Sequence, residues 1–184
     1  IFFRAHRLAM EQLVRGEVDT DVALQLGSWH EELDLSHQNW ASEMPDWWDR
    51  LCAALGASTV LRSLTISHVR LTQPQMQSLH GALKLNDSLT TLTLNDSCIT
   101  DAALSALSPA FVVNTCLTTL RLAGNEVTNQ GLAALFADIL QTDTVTELDL
   151  SRNPLAEAGT QCLAAYVAHS TALAALSMAG TCPS

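Results

Sequence analysis

Basic residues are scarce in this sequence. Nine Lys and Arg stand against 19 Asp and Glu, giving a formal net charge of −10 over 184 residues. That balance argues against nucleic acid or an anionic membrane as the main partner and leaves a basic protein segment as the natural complement. Long apolar runs are absent too: none approaches the roughly 20 residues that a membrane-spanning helix needs. No phosphate loop, zinc-ligand pattern or nucleophile elbow occurs, so no cofactor, metal or catalytic residue is expected and the chain is not read as an enzyme. The sequence opens on Ile1 rather than Met and stops within a repeating pattern. The expectation is a piece of a longer protein, in which a missing targeting signal carries no weight.

What the sequence does have is a period. The stretch LTTLRLAGNEVTNQGLAALFADILQTDT, from 117 to 144, alternates like a strand in its first half and has helical spacing in its second. The pattern returns 28 residues later at 145 and 28 earlier at 89 and 61, with a half-unit at 173 and a unit carrying three extra residues at 30. Such a period signals a solenoid. Leu33, Leu64, Leu92, Leu120, Leu148 and Leu176 form one strand column. Leu35, Ile66, Leu94, Leu122, Leu150 and Met178 form another two residues on, so both point to one face of a short strand. Three helix columns follow, with offsets of three and four: 48, 76, 104, 132; then 51, 79, 107, 135, 163; then 55, 83, 111, 139, 167. Thr160 breaks the first, which predicts weaker packing in that unit. Pro109 falls inside a helix and predicts a break near 105–109, with Phe111 and Val112 still docked.

A single unit cannot bury both its strand face and its helix stripe, whereas stacked units can. Parallel strands sit about 4.8 Å apart and packed helices about 8–10 Å apart. A stack with strands on one side and helices on the other therefore curves, with the strands inside. The fold class expected from this geometry is α/β: a curved solenoid with parallel strands on the concave face and helices on the convex face. Residues 30–184 form the repeat domain, with units starting at 30, 61, 89, 117, 145 and 173. Residues 1–29 read as a helical cap or the end of a preceding region, because IFFRAHRLAMEQLVRG places Phe3, Met10, Leu13 and Val14 on one helix face before Gly16.

The motif LxxLxLxxN followed by a helix resembles the ribonuclease-inhibitor type of leucine-rich repeat, over about 30–184, and the resemblance implies a right-handed leucine-rich-repeat solenoid, or horseshoe. Asn125 and Asn153 match that family's asparagine, which bonds loop backbone; Gln38, Val69, Ser97 and Thr181 replace it, so those turns are expected to lose the ladder. Similar arrays occur in nucleotide-binding immune receptors, in activators of the Ran GTPase and in ciliary and other cytoskeletal proteins. The resemblance implies a binding scaffold in a larger intracellular protein or assembly, cytoplasmic and with a cytoskeletal or ciliary context. It also implies two alternatives: a regulator of a GTPase or other enzyme, for which Arg62, Arg121 and Arg152 lie on or near the concave side, and the sensing array of a receptor.

The five cysteines are odd in number and spread over different columns. Cys98 and Cys182 share one column but stand three repeats apart, beyond the roughly 7 Å that a disulfide spans. Free thiols in a reducing compartment are expected. NDS occurs at Asn86 and Asn95 and has the form of a glycosylation acceptor, but Asn86, like Asn114 one repeat on, sits where a helix should end.

Candidate binding residues fall in two sets. The concave strand positions are acidic at the two ends, Glu32 with Asp34 and Glu147 with Asp149, and small and polar between them apart from Arg121. A partner with a basic segment suits these ends. Trp47, Phe136 and Tyr166 fall outside the main helix columns and mark a convex contact surface as the second candidate, whereas Trp40 and Trp48 occupy core columns. His37, His68 and Asp96 share a column just past the strands, read as a solvated edge rather than a metal site.

Overall fold

The computed structural model describes residues 31–36 and 46–181. The 1–29 segment, His37, Gln38, Trp40 and Cys182 lie outside the described residues. Six three-residue strands alternate with five α-helices: β1 (Glu32–Asp34), α1 (Trp47–Ala57), β2 (Ser63–Thr65), α2 (Gln73–Leu85), β3 (Thr91–Thr93), α3 (Asp101–Leu107), β4 (Thr119–Arg121), α4 (Asn129–Thr142), β5 (Glu147–Asp149), α5 (Glu157–His169) and β6 (Ala175–Ser177). The strands form one sheet in the order β1-β2-β3-β4-β5-β6, parallel throughout. Register follows the period: Leu33 lies opposite Leu64, Leu64 opposite Leu92, and so on to Leu148 opposite Leu176. A slip of one residue would turn each leucine out of the core, which is why the register is so strictly kept. Strand leucines and helix residues share one continuous hydrophobic core.

Helix starts are set by a column that the repeat alignment did not single out: Thr72, Thr100, Thr128 and Ala156, spaced by 28. Thr100 Oγ1 accepts from the Ala103 amide and Thr128 Oγ1 from the Gln130 amide. Gln75 Oε1 reaches back to accept from the Thr72 amide at 2.9 Å. These contacts satisfy amides that a helix leaves open at its start. Ala156 offers no such oxygen, and α5 begins without a side-chain cap. Asp101 shows what else is lost. Its carboxylate accepts from the Thr128 amide (2.7 Å) and hydroxyl (2.5 Å). One unit on, Asn129 Oδ1 is buried without a partner. Ala156→Thr is therefore expected to stabilise the domain by about 1 kcal/mol, the usual worth of an N-cap, read as a higher urea midpoint.

Helix ends are set by a second column: Ser58, Asn86, Asn114, Thr142 and Ser170. Asn86 is buried, and its Nδ2 donates to the carbonyls of Leu55 (2.7 Å) and Ser58 (3.0 Å). Its Oδ1 accepts from the amides of Ser88 (3.0 Å) and Leu89 (2.7 Å). Asn114 repeats the arrangement with Leu83, Asn86, Cys116 and Leu117. Asn86 thus ends its helix in an extended conformation (φ −82°, ψ 127°), not in the left-handed one common for terminal asparagines. Its committed, buried amide also rules it out as a glycosylation acceptor in the folded domain.

Asp143 closes α4 in the left-handed region (φ 47°). Its carboxylate accepts from Ser170 Oγ, from the Thr171 amide and hydroxyl, and from the Ala172 amide. The Ser170 hydroxyl, then the Thr171 groups, hold its pKa below the ordinary aspartate value. A depressed acid stabilises the fold above its unfolded pKa, and the contribution disappears as pH falls through the folded value. Amide exchange at Thr171 and Ala172 should accelerate below about pH 4 beyond the intrinsic trend; in Asp143→Asn that excess should be absent.

Pro109 acts as expected. α3 ends at Leu107 and the chain tightens into a 3-10 helix over Ser108–Val112, with Phe111 buried and Val112 half-buried. The last helix departs from the columns. α5 buries Gly159, Leu163 and Tyr166 and exposes Thr160 and Val167, so its inward stripe shifts by one residue at both ends. Of the substituted turns, Ser97 keeps part of the ladder: its Oγ donates to the carbonyls of Ile66 and Asn95. Asn125 Oδ1 in turn accepts from the amides of Ser97 and Ile99, and its Nδ2 donates to Leu94 and Leu122.

Candidate protein-binding surface

Residues flanking each central strand leucine face the other side of the sheet. In the middle of that face lie hydroxyls, with Thr65 and Thr91 half-exposed and Thr93 and Thr119 largely covered by their neighbours. The acidic ends are not equivalent. At β5, Arg121 donates through Nε (3.1 Å) and Nη2 (2.7 Å) to Glu147 Oε1. Arg121 thus passes over its register partner Asp149 to reach Glu147 diagonally. Asp149 accepts from the Ser151 amide at 2.9 Å. At β1, Asp34 makes the same turn with the Ser36 amide, because ELDLS occurs in both places. Glu31, Glu32 and Asp34 are exposed, and no ion pair among the described residues involves them. Among the described residues, negative charge without an ion pair therefore concentrates at β1, whereas the two ends read alike from sequence.

A charged ridge runs along the turns past the strands. His68, Asp96, Gly124, Arg152 and Gly180 hold equivalent positions, all with φ between 52° and 69°. Arg152 donates through Nη1 and Nη2 to the two Asp96 oxygens, both at 2.9 Å, skipping the unit between them. Gly124 makes the span possible: a Cβ there would lie 2.1 Å from Asp96 Oδ1. His68 Nε2 stands 4.0 Å from Asp96 Oδ2. With both Asp96 oxygens held by Arg152, this column is built as an ion pair, and no metal-binding group of three occurs among the described residues. Arg62 is engaged as well, donating to the Ser88 carbonyl at 2.9 Å.

The aromatic set is corrected by the structure. Trp47, Phe136 and Tyr166 are 4 %, 5 % and 1 % exposed, so they do not form an outer surface. Trp47 packs edge-on against Trp48 (5.1 Å, 87°), whose Nε1 donates to the Gln75 carbonyl. Phe136 and Tyr166 stack at 4.4 Å and 3° between α4 and α5. Rings placed one position off the stripe still reach inward, and for Tyr166 the shifted stripe of α5 turns the ring in and Val167 out. Four cysteines are free: Cys52, Cys98, Cys116 and Cys162. Burial, with a smaller effect of Asp49, pushes the Cys52 thiol up to about 12.

The sequence profile of the PRAME C-terminal domain matches residues 48–177, from the first turn of α1 through β6. The chain belongs to this family. Among solved structures, the PRAME-type domain resembles the tropomodulin C-terminal domain of Caenorhabditis elegans, with a TM-score of 0.63 and 18 % identity over 72 % of this chain and 82 % of that one. It also resembles leiomodin-1 actin-binding site 2, with a TM-score of 0.62 and 20 % identity over 69 % of this chain and 76 % of that one. These likenesses are of fold, and they support a leucine-rich-repeat type of architecture for the PRAME-type domain. No match was found among curated protein sequences.

Proposed function

We propose that the domain is a non-enzymatic protein-binding array whose open sheet face is the concave face of a right-handed horseshoe and receives a partner with a basic segment. The observation that carries this reading is the sheet face itself: a floor of hydroxyls ending at Glu32 and Asp34, exposed acids that form no ion pair among the described residues. A similar fold serves in leiomodin-1 as an actin-binding site, which favours an intracellular, cytoskeletal setting. The basic segment docks at the β1 end, since Arg121 already occupies Glu147.

Charge at a rim mainly steers encounter. Glu32→Lys combined with Asp34→Lys should slow association with the bound protein about tenfold, with a smaller change in dissociation. Glu147→Ala should have little effect. The difference should fade as salt rises from 0.1 to 1 M and the screening length falls from about 10 to about 3 Å. Equal losses from both ends, or no salt dependence, would remove the basic-segment reading.

A further inference from the structure

Six glycines lie among the described residues, and four are required where they stand. A Cβ at Gly124, Gly131 or Gly159 would collide with Asp96, Asp101 or Asn129, and Gly180 has a φ of 69°. Gly56 and Gly81 have no such reason. At Gly56 a Cβ would meet Ala82 and Leu85 at 3.6–3.7 Å, an ordinary contact, and at Gly81 it would meet nothing within 4 Å. Glycine inside a helix is destabilising relative to alanine, and the counterparts of Gly81 in other units include Ala53, Ala137 and Ala165. Both glycines border one groove between α1 and α2. It measures about 350 Å³, and its walls include Cys52, Ala53, Gly56, Ser78, Ala82 and Leu85. Gly81 shares a helix face with the last three. Leu85 is 76 % exposed, and Val113, one unit on in the same column, is 52 % exposed. That column does not need apolar residues, since Gln141 and His169 occupy it further along.

Negative charge surrounds this apolar groove. Asp49 stands at its start, where Ser78 Oγ donates to Asp49 Oδ1 at 3.2 Å. Asp46 precedes α1 and Asp87 follows α2; all three acids are exposed and form no ion pair among the described residues. Lys84 lies toward α3, on the helix face of His80, whose ring contacts the Ala106 carbonyl. We propose that the groove docks an amphipathic α-helix of a partner protein, with leucine-sized residues at i, i+3, i+4 and i+7 and lysine or arginine beside them. The three acids select the flanking cations. A helix fits because α1 and α2 spend their main-chain bonds internally. An extended segment would lay unpaired amides and carbonyls against an apolar wall, whereas a helix arrives with its own satisfied. The 13 residues of α2 span about 20 Å, which accommodates roughly 3–4 turns. Gly81 lets the backbone of that helix come close. The groove lies inside the stack, so repeats added at either end leave it open. The 1–29 segment, expected as a cap, has the other side of α1 to cover, where Leu51 and Ala54 are half-buried. A second copy would set two chains of net charge −10 against each other. This site lies on the helix side, apart from the sheet face, and does not depend on its role.

The test is a titration of the isotope-labelled full chain with the helical peptide KALKALLAKLAAKK, followed by backbone amide shifts. Saturable shifts centred on Ala53, Gly81 and Leu85 are expected. The control peptide KLALKAAKLALKAK has the same composition but splits its leucines between two faces, and it should bind at least tenfold more weakly. Leu85→Lys should weaken binding about tenfold, with the amide shifts around Leu120 unchanged to show that the fold persists. Gly81→Gln separates docking from folding. It should raise the urea midpoint, because glycine is the poorer helix former, and yet weaken binding about tenfold. Asp49→Asn should weaken binding about threefold at 0.1 M salt and have no effect at 1 M. Shifts centred on the sheet face, equal binding of the two peptides, no saturable binding, or full binding by Gly81→Gln would each overturn the proposal. So would nuclear Overhauser contacts from Leu85 to residues 1–16 in the free chain, which would make the chain's own segment the occupant. Concentration-dependent shifts at Gly81 without peptide would overturn it in favour of a second copy.

Discussion

Replacing Asn86 with alanine is expected to lower the stability of the domain by about 3–5 kcal/mol, as much as losing a large core side chain. The side chain is small, but it makes four main-chain bonds in a place that water does not reach. Truncation strands the two amides, each costing about 1–3 kcal/mol before the backbone relaxes, and takes one donor from each of two carbonyls that keep another, Leu55 O from the Ser58 amide and Ser58 O from Ser88 Oγ. Asn86→Asp separates hydrogen bonding from volume. It keeps the shape and the two acceptor contacts, but sets a carboxylate oxygen against the carbonyls of Leu55 and Ser58. The aspartate variant should therefore be no more stable than the alanine one. Leu85→Ala, one residue away and 76 % exposed, should cost no more than about 0.5 kcal/mol. Urea unfolding of the three variants reads the comparison directly.

The second large effect is expected at Leu120. It lies at the centre of β4, fully buried, with Leu92 and Leu148 on either side. Leu120→Ala opens a cavity between two units that cannot close without breaking register, so a cost of about 2–5 kcal/mol is expected. The adjacent Thr119 faces the other side of the strand. From sequence it reads as a solvated position, but neighbouring side chains cover most of it. Thr119→Ala should accordingly cost about 1 kcal/mol, near the worth of one buried methyl group. Similar losses for the two variants would mean that the strand faces are assigned the wrong way round.

The strands, their register and the break at Pro109 were legible because each rests on a signal that repeats or on a residue whose chemistry leaves one outcome. Spacing of 28 aligns leucines, and aligned leucines can be buried in only one register. The capping columns are equally periodic, Thr72–Thr100–Thr128 and Ser58–Asn86–Asn114, but they are polar, and of these only Asn86 and Asn114 stand out from sequence as helix ends. Pairings across units were out of reach for a different reason. The diagonal from Arg121 to Glu147 and the span from Arg152 over Gly124 to Asp96 depend on rotamers and on the space a glycine leaves. That is also why the β5 acids looked as open as those at β1. Trp47, Phe136 and Tyr166 failed as surface residues because a column template treats one position off the stripe as outward. A large ring spans that distance, and helix α5 rotates to admit it.

The binding role of the sheet face is tested most directly by where a partner touches. A photo-crosslinking residue would be placed at Thr65 or Thr91 on the sheet, or at Gln77 or Ala137 on exposed helix positions, in otherwise unchanged chains. One and the same protein is expected to crosslink from both sheet positions and to be lost when Glu32→Lys and Asp34→Lys are added. Crosslinks from Gln77 and Ala137 alone, unaffected by the charge reversal, would contradict a partner seated on the sheet.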